Sequence, residues 1–450
     1  MNAPTVPLSS RRIAALWLPM MATWLMMSLE GPVLSALIAR MSEPAFNLAA
    51  YGVAFALALV MEAPVIMLLS AATKLVEDAY SYRQLRNYTT LLNLFCTGVM
   101  LVLVAPPVFD WLARDLIQLP DPVAKLTHIA CVALLPWPGA IGYRRFYQGV
   151  MIRQGQTRRV AYGTVLRLTA MLATGASLFL WGQVEGVLVG AGALSTAVLV
   201  EVVATRLMAR QAIRAVLDQG EDEATPRGDL GLSGLTRFYV PLALTPLIAL
   251  GAHPVVTFFL GQSREAIASL AVYPVITSLV FIFRSVGLSY VEVTISLLGK
   301  RFEHFPELRR FALILGVSAT GLLTLIAATP LSELWFETVS GLAPRLAGFA
   351  ILPTLILALI PGLSVLLGFQ RAILISSGHN APITWATVIE VVLIVSLLWL
   401  LIQRMDMIGV TGAAIALTVG RLGANLYLTA PFARARRRMM QPAVDSPQTR

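Results

Sequence analysis

The heptapeptide LAAYGVA at positions 48–54 returns as LAVYPVI at positions 270–276, with four of its seven residues unchanged. The offset is 222 residues, and the same offset places Pro19 on Pro241 and Pro32 on Pro254. Further along, the offset is 223. The matches at that offset are Pro138 with Pro361, Gly139 with Gly362, Ile152 with Ile375, Gly155 with Gly378, Thr164 with Thr387, Gly186 with Gly409 and Val187 with Val410. One residue of drift over half the chain indicates a duplication.

The duplicated unit is apolar. Of the 450 residues, 57% are hydrophobic and 13% are charged, whereas a soluble domain carries about 25% charged residues. The composition predicts an all-α polytopic membrane protein, because helices satisfy their own backbone hydrogen bonds in lipid. Internal repeats in a chain of this kind are typical of secondary transporters, whose substrate site lies between the repeats.

Apolar stretches of about 20 residues, the length that crosses the hydrocarbon core, predict twelve helices. They lie near residues 13–38, 48–72, 89–112, 124–147, 160–181, 185–207, 236–260, 267–295, 309–331, 345–370, 382–403 and 408–431. Each repeat holds six helices, and an even number returns the chain to its starting side. The repeats should therefore be parallel copies related by an axis along the membrane normal.

The same pattern predicts the domain organisation. We expect two lobes, residues 1–207 and 236–432, joined by a polar cytoplasmic linker at 208–235 and followed by a basic tail at 433–450.

Lysine and arginine are unevenly shared between the two sides of the predicted bundle. Twenty-five lie on connections or adjoining helix ends at the N-terminal side, and six lie at the other side. The remaining three, Arg167, Arg284 and Arg421, lie deep inside predicted helices. Because cytoplasmic loops carry the excess of these residues, we expect a bacterial-type cytoplasmic membrane protein with both termini in the cytoplasm. The net charge of +10 then reflects topology and contact with anionic lipid headgroups, and no nucleic-acid partner is expected.

Seven ionisable side chains lie inside the predicted helices, where each costs at least about 2.5–3.5 kcal/mol unless it faces a cavity or a partner. These candidate substrate or coupling residues are Glu30, Glu62, Arg167, His253, Arg284, Glu390 and Arg421. Counted at about 1.5 Å per residue, all except Glu30 and His253 fall in the cytoplasmic half of the bundle. Charges at similar depth suggest one shared cavity.

The repeat relates Glu62 to Arg284 and Arg167 to Glu390, so each acid matches a base in the other half. An ion pair between Glu62 and Arg284 across a central cleft would form when that end closes and break when it opens. The alternative is a static buried pair that holds helices in register.

Glu30 and His253 belong to a different layer, and each lies beside a proline. Gly31 and Pro32 should loosen the first helix just beyond Glu30, and a helix interrupted at this depth exposes polar backbone groups to a solute. A buried glutamate or histidine can carry a coupling proton. The alternative is a buried group satisfied by its neighbours.

A glycine followed by polar residues ends the fourth and tenth helices, at Gly155 and Gly378. A chain with these two turns and with twelve helices in two parallel repeats resembles the multidrug/oligosaccharidyl-lipid/polysaccharide (MOP) flippase superfamily. That superfamily includes the multidrug and toxic compound extrusion (MATE) transporters. Within it, short segments look like the progressive ankylosis protein family. These segments are residues 30–51, 48–54, 240–244, 273–275 and 409–414.

The resemblance implies rocker-switch alternating access, in which two lobes swing about a central cleft. Extrusion transporters commonly use a first-helix acid for cation coupling, and Glu30 matches that position in kind, although many of them have aspartate. Ankylosis-type proteins are associated with export of pyrophosphate, nucleotides and citrate. Arg167, Arg284 and Arg421 would suit such anions, because arginine binds phosphate and carboxylate bidentately.

We therefore expect a transporter, and not an enzyme, that exports a small organic solute, with an anion favoured. Anion export requires Arg167, Arg284 and Arg421 to face the cleft unpaired. Proton- or sodium-coupled extrusion of organic cations instead requires Glu30 and Glu62 to be exposed. A lipid-linked precursor flippase requires a lateral opening between the lobes. We expect a monomer in the bilayer with no metal site, and no cofactor other than a coupling H⁺ or Na⁺.

Overall fold

The computed structural model describes residues 8–218, 231–299, 302–378 and 381–440. Within these ranges the chain forms twelve long helical segments, as predicted. The first half consists of α1 (Ser10–Ile38), α2 (Pro44–Leu75), α3 (Ala79–Val104), α4 (Asp121–Arg153), α5 (Thr157–Trp181) and α6 (Gly186–Met208). The second half consists of α7 (Leu232–Gly261), α8 (Ala266–Leu297), α9 (Phe305–Ala328), α10 (Pro344–Ser376), α11 (Ala381–Arg404) and α12 (Gly409–Met440).

Most of these segments suit a membrane. In the described part of the chain, ten are long and apolar enough to cross one, or eleven when the bent α7 is counted as a single span. Large apolar side chains also lie on the outside of the bundle, where Leu180 is 81% exposed and Val317 is 71% exposed. Extended apolar surface of this kind is unfavourable in water. The chain is a multi-pass membrane protein.

The largest differences from the predicted helix ends are in α3 and α12. α3 begins at Ala79 and not near 89, because the Asp78 side chain accepts a hydrogen bond from the Ser81 amide at 2.8 Å and caps the helix. α12 continues to Met440 and not to about 431, so the basic residues expected to start the tail are helical. Arg436 lies 4.6 Å from the centre of the Phe305 ring and ties this extension to α9.

The predicted lobe boundaries stay a prediction. Residues 219–230 of the expected linker and 441–450 of the expected tail lie outside the described residues. Just before the first of these gaps, a short helix at Arg210–Asp218 buries Ala212, Ile213 and Val216.

Prolines explain the breaks within long segments. Pro32 has no N–H to bond the Ser28 carbonyl, and α1 is interrupted at Leu29. Pro138 and Pro361 leave the Leu134 and Leu357 carbonyls without this bond, and α4 and α10 break there. α7 bends by 46° at Pro246. The predicted loosening of the first helix is confirmed, but it falls just before Glu30 and not just beyond it.

The duplication is visible in the backbone. Left-handed residues occur in pairs at the repeat offset: Glu43 (φ 46°) with Glu265 (58°), Gln118 (61°) with Gly341 (74°), and Gly155 (72°) with Gly378 (75°). Such conformations are uncommon outside glycine. Their recurrence shows that the two halves share their turns as well as their helices.

α1 and α7 each cross from one half to the other. The Trp17 indole donates to the Val286 carbonyl of α8 at 3.3 Å and contacts the Phe311 ring of α9. At the equivalent position, the Tyr239 hydroxyl donates to the Pro64 carbonyl of α2 at 2.6 Å and contacts the Tyr88 ring of α3. The three residues of one contact match the three of the other at offsets of 222 or 223.

Beyond its break, α1 returns to its own half, where Leu34 lies beside Gly175 of α5 and Ile38 lies beside Gly190 of α6. The first helix of each repeat therefore packs its beginning on the opposite half, and the break lets the rest of α1 rejoin its own half.

Candidate functional site

The first cluster of buried charges lies among α1, α2, α4, α5 and α6. We call it the first-half cluster, and it consists of Glu30, Glu62, Arg144, Arg145, Arg167 and Glu201. Its centre is Glu201, which accepts from Arg144 Nη1 at 2.7 Å and from Gln148 Nε2 at 3.4 Å, and lies 3.5 Å from Arg167 Nε. The Glu201 side chain is 1% exposed.

The remaining acids join the same network. Arg167 also forms an ion pair with Glu30, and Glu62 accepts a hydrogen bond from the Trp137 indole at 3.1 Å. Electrostatic interactions link Glu30 to Arg144, Glu201 and Glu62 as well. Glu30, expected in a separate layer, therefore belongs to this cluster, because the break at Leu29 lies directly before it and Arg167 reaches it from α5.

The second cluster lies on α8, α10, α11 and α12. We call it the second-half cluster, and it consists of Arg284, Arg371, Glu390 and Arg421. Arg421 Nε lies 2.8 Å from Glu390 Oε1, with side-chain exposures of 16% and 13%. Arg371 donates to the Thr387 hydroxyl at 3.1 Å. Arg284 has no carboxylate partner among the described residues, and its guanidinium lies 6.0 Å from the Phe281 ring centre on the same helix.

Interactions of these charges stay within each half. Arg284 interacts electrostatically with Arg421, Glu390 and Arg371, and His253 of α7 interacts with Arg284. The expected ion pair between Glu62 and Arg284 is absent from the described structure, because Glu62 faces Trp137 of its own half. The single shared cavity suggested by their similar depth is likewise replaced by two separate clusters.

The two clusters carry different formal charge. The first-half cluster has three glutamates and three arginines and is balanced. The second-half cluster has three arginines and one glutamate, a formal excess of two positive charges. Anion export was expected to require Arg167, Arg284 and Arg421 to face the cleft unpaired. Arg167 and Arg421 each have an acid partner, so this requirement is not met for them. Arg284 has no carboxylate partner among the described residues.

Sequence reasoning missed four cluster residues: Arg144, Arg145, Glu201 and Arg371. All three arginines were counted with the connections at the N-terminal side, Arg144 and Arg145 at the end of the predicted fourth helix and Arg371 just beyond the predicted tenth. α4 runs to Arg153 and α10 to Ser376, which places all three well inside helices. Glu201 lies seven residues before the end of α6. The available signal was the apolar sequence around Glu201, since an isolated acid in such a run needs a partner.

The end of the bundle opposite the chain's N-terminus holds the two halves together. Arg40 Nη2 donates to the carbonyl oxygens of Thr338 and Val339, the latter at 3.0 Å. Gln262 Nε2 donates to the Leu116 carbonyl at 3.0 Å. We call these the far-end contacts. Arg40 matches Gln262 at the offset of 222, and Leu116 matches Val339 at the offset of 223, so the two contacts are repeat equivalents.

No protein-family model and no curated protein sequence matches the chain. Solved structures do. An inward-facing multidrug resistance MATE family transporter of the MOP superfamily matches with a TM-score of 0.69 and 16% identity, covering 95% of this chain and 98% of that one. The fold is that of the MATE transporters. Both the helix count and the parallel repeats agree with it.

Two other structures show how widely this fold is shared. A MOP superfamily transporter from Pyrococcus furiosus, described as having a binding pocket of reverse polarity, matches with a TM-score of 0.65 and 16% identity over 96% of both chains. The lipid II flippase MurJ in an inward closed conformation matches with a TM-score of 0.67 and 11% identity, covering 94% of this chain and 90% of MurJ. At these identities the likeness describes the fold.

Proposed function

We propose that the chain is a secondary transporter that moves a small organic anion across the cytoplasmic membrane by alternating access. The observation that carries this proposal is the excess of arginine in the second-half cluster. In the part of the chain that the structure describes, Arg284 has no acid partner. An unpaired guanidinium within a membrane bundle is costly unless a ligand or water meets it. A carboxylate or phosphate group supplies the bidentate partner that arginine prefers.

The structure gives less support to extrusion of organic cations. That function needs exposed acids, whereas Glu30 is paired with Arg167 and Glu62 lies among the charges of a balanced cluster. The Pyrococcus furiosus protein is described by its reversed pocket polarity and a suggested different function, which fits the idea that pocket charge varies within this fold. The same proposal has three further parts. Transport is directed out of the cell, Glu30 or His253 carries the coupling ion, and the chain is related to the progressive ankylosis family.

The test is uptake into inverted membrane vesicles of radiolabelled pyrophosphate, citrate and ATP, beside a fluorescent cationic dye. Arg284→Ala should reduce anion uptake about tenfold or more, since a hydrogen bond to a charged group is worth about 1.5–3 kcal/mol. Arg345→Ala is the matched control, because its side chain is 88% exposed and 4.0 Å from its nearest acid. Its uptake should equal that of the wild type.

Other results would redirect the proposal. Dye uptake driven by a proton gradient and abolished by Glu30→Gln would establish cation extrusion. Absence of both anion and dye transport would favour a lipid-linked substrate, the class named for MurJ.

A further inference from the structure

Glu390 is held more loosely than Glu201, the central acid of the first-half cluster. Its carboxylate has one ion pair, to Arg421, and remains 13% exposed. Glu201 has three side-chain partners and is 1% exposed. A carboxylate with a single partner and access to solvent can exchange that partner at far lower cost than one enclosed by three.

The backbone at Glu390 packs closely against α12. A Cβ atom at Gly420 of α12 would lie 3.0 Å from the Glu390 carbonyl oxygen and 2.7 Å from Ile394, so α11 and α12 touch at this point. Rotation of the Glu390 side chain can move its carboxylate without separating the two helices.

A second cation lies within reach of that rotation. Thr387 and Glu390 are three residues apart on α11 and share a face of the helix. Thr387 accepts the hydrogen bond from Arg371, and Arg371 and Glu390 interact electrostatically. If Glu390 leaves Arg421, it can thus pair with Arg371 and avoid being buried alone.

Given the proposed function, we propose that Glu390 is a built-in competitor of the substrate. Its carboxylate holds Arg421 until an acid group of the substrate takes its place, and it then pairs with Arg371. The substrate bridges Arg421 and Arg284. Because two guanidinium groups must be met at once, the substrate class is a small anion with at least two acid groups, either carboxylates or phosphates.

The test is calorimetric binding of citrate, pyrophosphate and acetate to the purified full-length protein in detergent. Glu390→Gln removes the competing charge and should tighten binding of citrate, pyrophosphate or both about tenfold, which corresponds to about 1.4 kcal/mol. Acetate, with one acid group, should show no comparable gain. Glu265→Gln is the matched control, since Glu265 lies at the opposite end and is 46% exposed.

Glu390→Asp provides a second variant in case the first does not fold. It keeps the charge but shortens its reach to Arg421, and it should tighten binding by a smaller factor. Comparison of citrate with pyrophosphate separates a carboxylate substrate from a phosphate substrate.

The failures are distinguishable. If the wild type binds citrate or pyrophosphate but Glu390→Gln binds them equally or more weakly, the competitor role is wrong while anion transport stands. An equal gain for acetate would overturn the requirement for two acid groups. If the wild type binds none of the three anions, the proposed function itself fails.

Discussion

The first-half and second-half clusters occupy equivalent places in a duplicated fold, but they are built for different tasks. Around Glu201, two hydrogen-bond donors from α4 and an ion pair with Arg167 of α5 converge on one acid. The equivalent residue in α12 is Ala424, and the equivalent of Arg144 is Leu367. The second half has thus lost the central acid while keeping or gaining arginines elsewhere.

This difference shows that the two halves of a duplicated fold can share their backbone structure and still differ in their buried charges. Turns, crossovers and far-end contacts recur in both halves, whereas charges do not. A balanced network resists rearrangement, because each arginine that loses its acid becomes a buried unpaired charge. A cluster with an excess of cations instead leaves an arginine without a carboxylate partner, and that arginine can bind an anion. The following changes test the contrast, starting with the largest expected effect.

Glu201→Ala should unfold or severely destabilise the protein. Arg144 and Arg167 would be left near each other without their shared acid, a change that costs about 3–5 kcal/mol for a buried pair. The measurement is thermal unfolding of the purified protein in detergent. Glu390→Ala is the counterpart in the other half, and we expect a smaller loss, because Glu390 has a single ion-pair partner and its side chain is 13% exposed, against 1% for Glu201. Equal losses in the two variants would refute the contrast.

Arg284→Glu makes the second half resemble the first, because the repeat equivalent of Arg284 in the first half is Glu62. The excess of two positive charges becomes zero, and the new carboxylate competes for Arg421. We expect anion uptake into inverted vesicles to fall about a hundredfold, corresponding to about 2.7 kcal/mol, with an unchanged melting temperature because no paired cation is lost. Retained uptake would show that the charge excess has no part in transport.

The architecture could be predicted from the sequence, but the ion pairs and hydrogen bonds within the clusters could not. Prolines and glycines recur at fixed offsets because turns and breaks require them, so helix number, order and the duplication could be predicted. The C-terminal ends of α10 and α12 were not predicted. Their positions depend on contacts between helices, such as that of Arg436 with Phe305. Arg371 was therefore assigned to a loop.

The partners of the buried charges could not be predicted from the sequence either. Isolated charges such as Glu62 and Arg284 are conspicuous in apolar sequence, and their equivalence in the repeat suggested that they pair. Pairing depends on side-chain direction as well as depth. The hydrogen bond of Glu62 to Trp137 follows from how α2 packs on α4, which the repeat offset does not specify.

Tyr239→Phe should have a modest effect, because it removes one hydrogen bond at a crossover and preserves the ring. We expect a loss of about 1 kcal/mol and almost unchanged uptake. Trp17→Phe, its equivalent in α1, should cost somewhat more, since the Trp17 indole donates to both the Ser289 hydroxyl and the Val286 carbonyl and phenylalanine has a smaller ring. Thermal unfolding of both variants checks this. A large difference between them would extend the asymmetry of the charge clusters to the scaffold.

Arg40→Gln should have the smallest effect, because it places at the first far-end contact the residue that the second one already uses. Glutamine at position 262 reaches the Leu116 carbonyl, so glutamine at position 40 can reach the equivalent carbonyl of Val339. What is lost is a positive charge at an exposed site, worth at most about 1 kcal/mol. Uptake should therefore change by no more than about fivefold, and Gln262→Arg, the reverse exchange, should be equally mild. A strong effect of either variant would mean that the far-end contacts, although equivalent in geometry, set the balance between open and closed states unequally in the two halves.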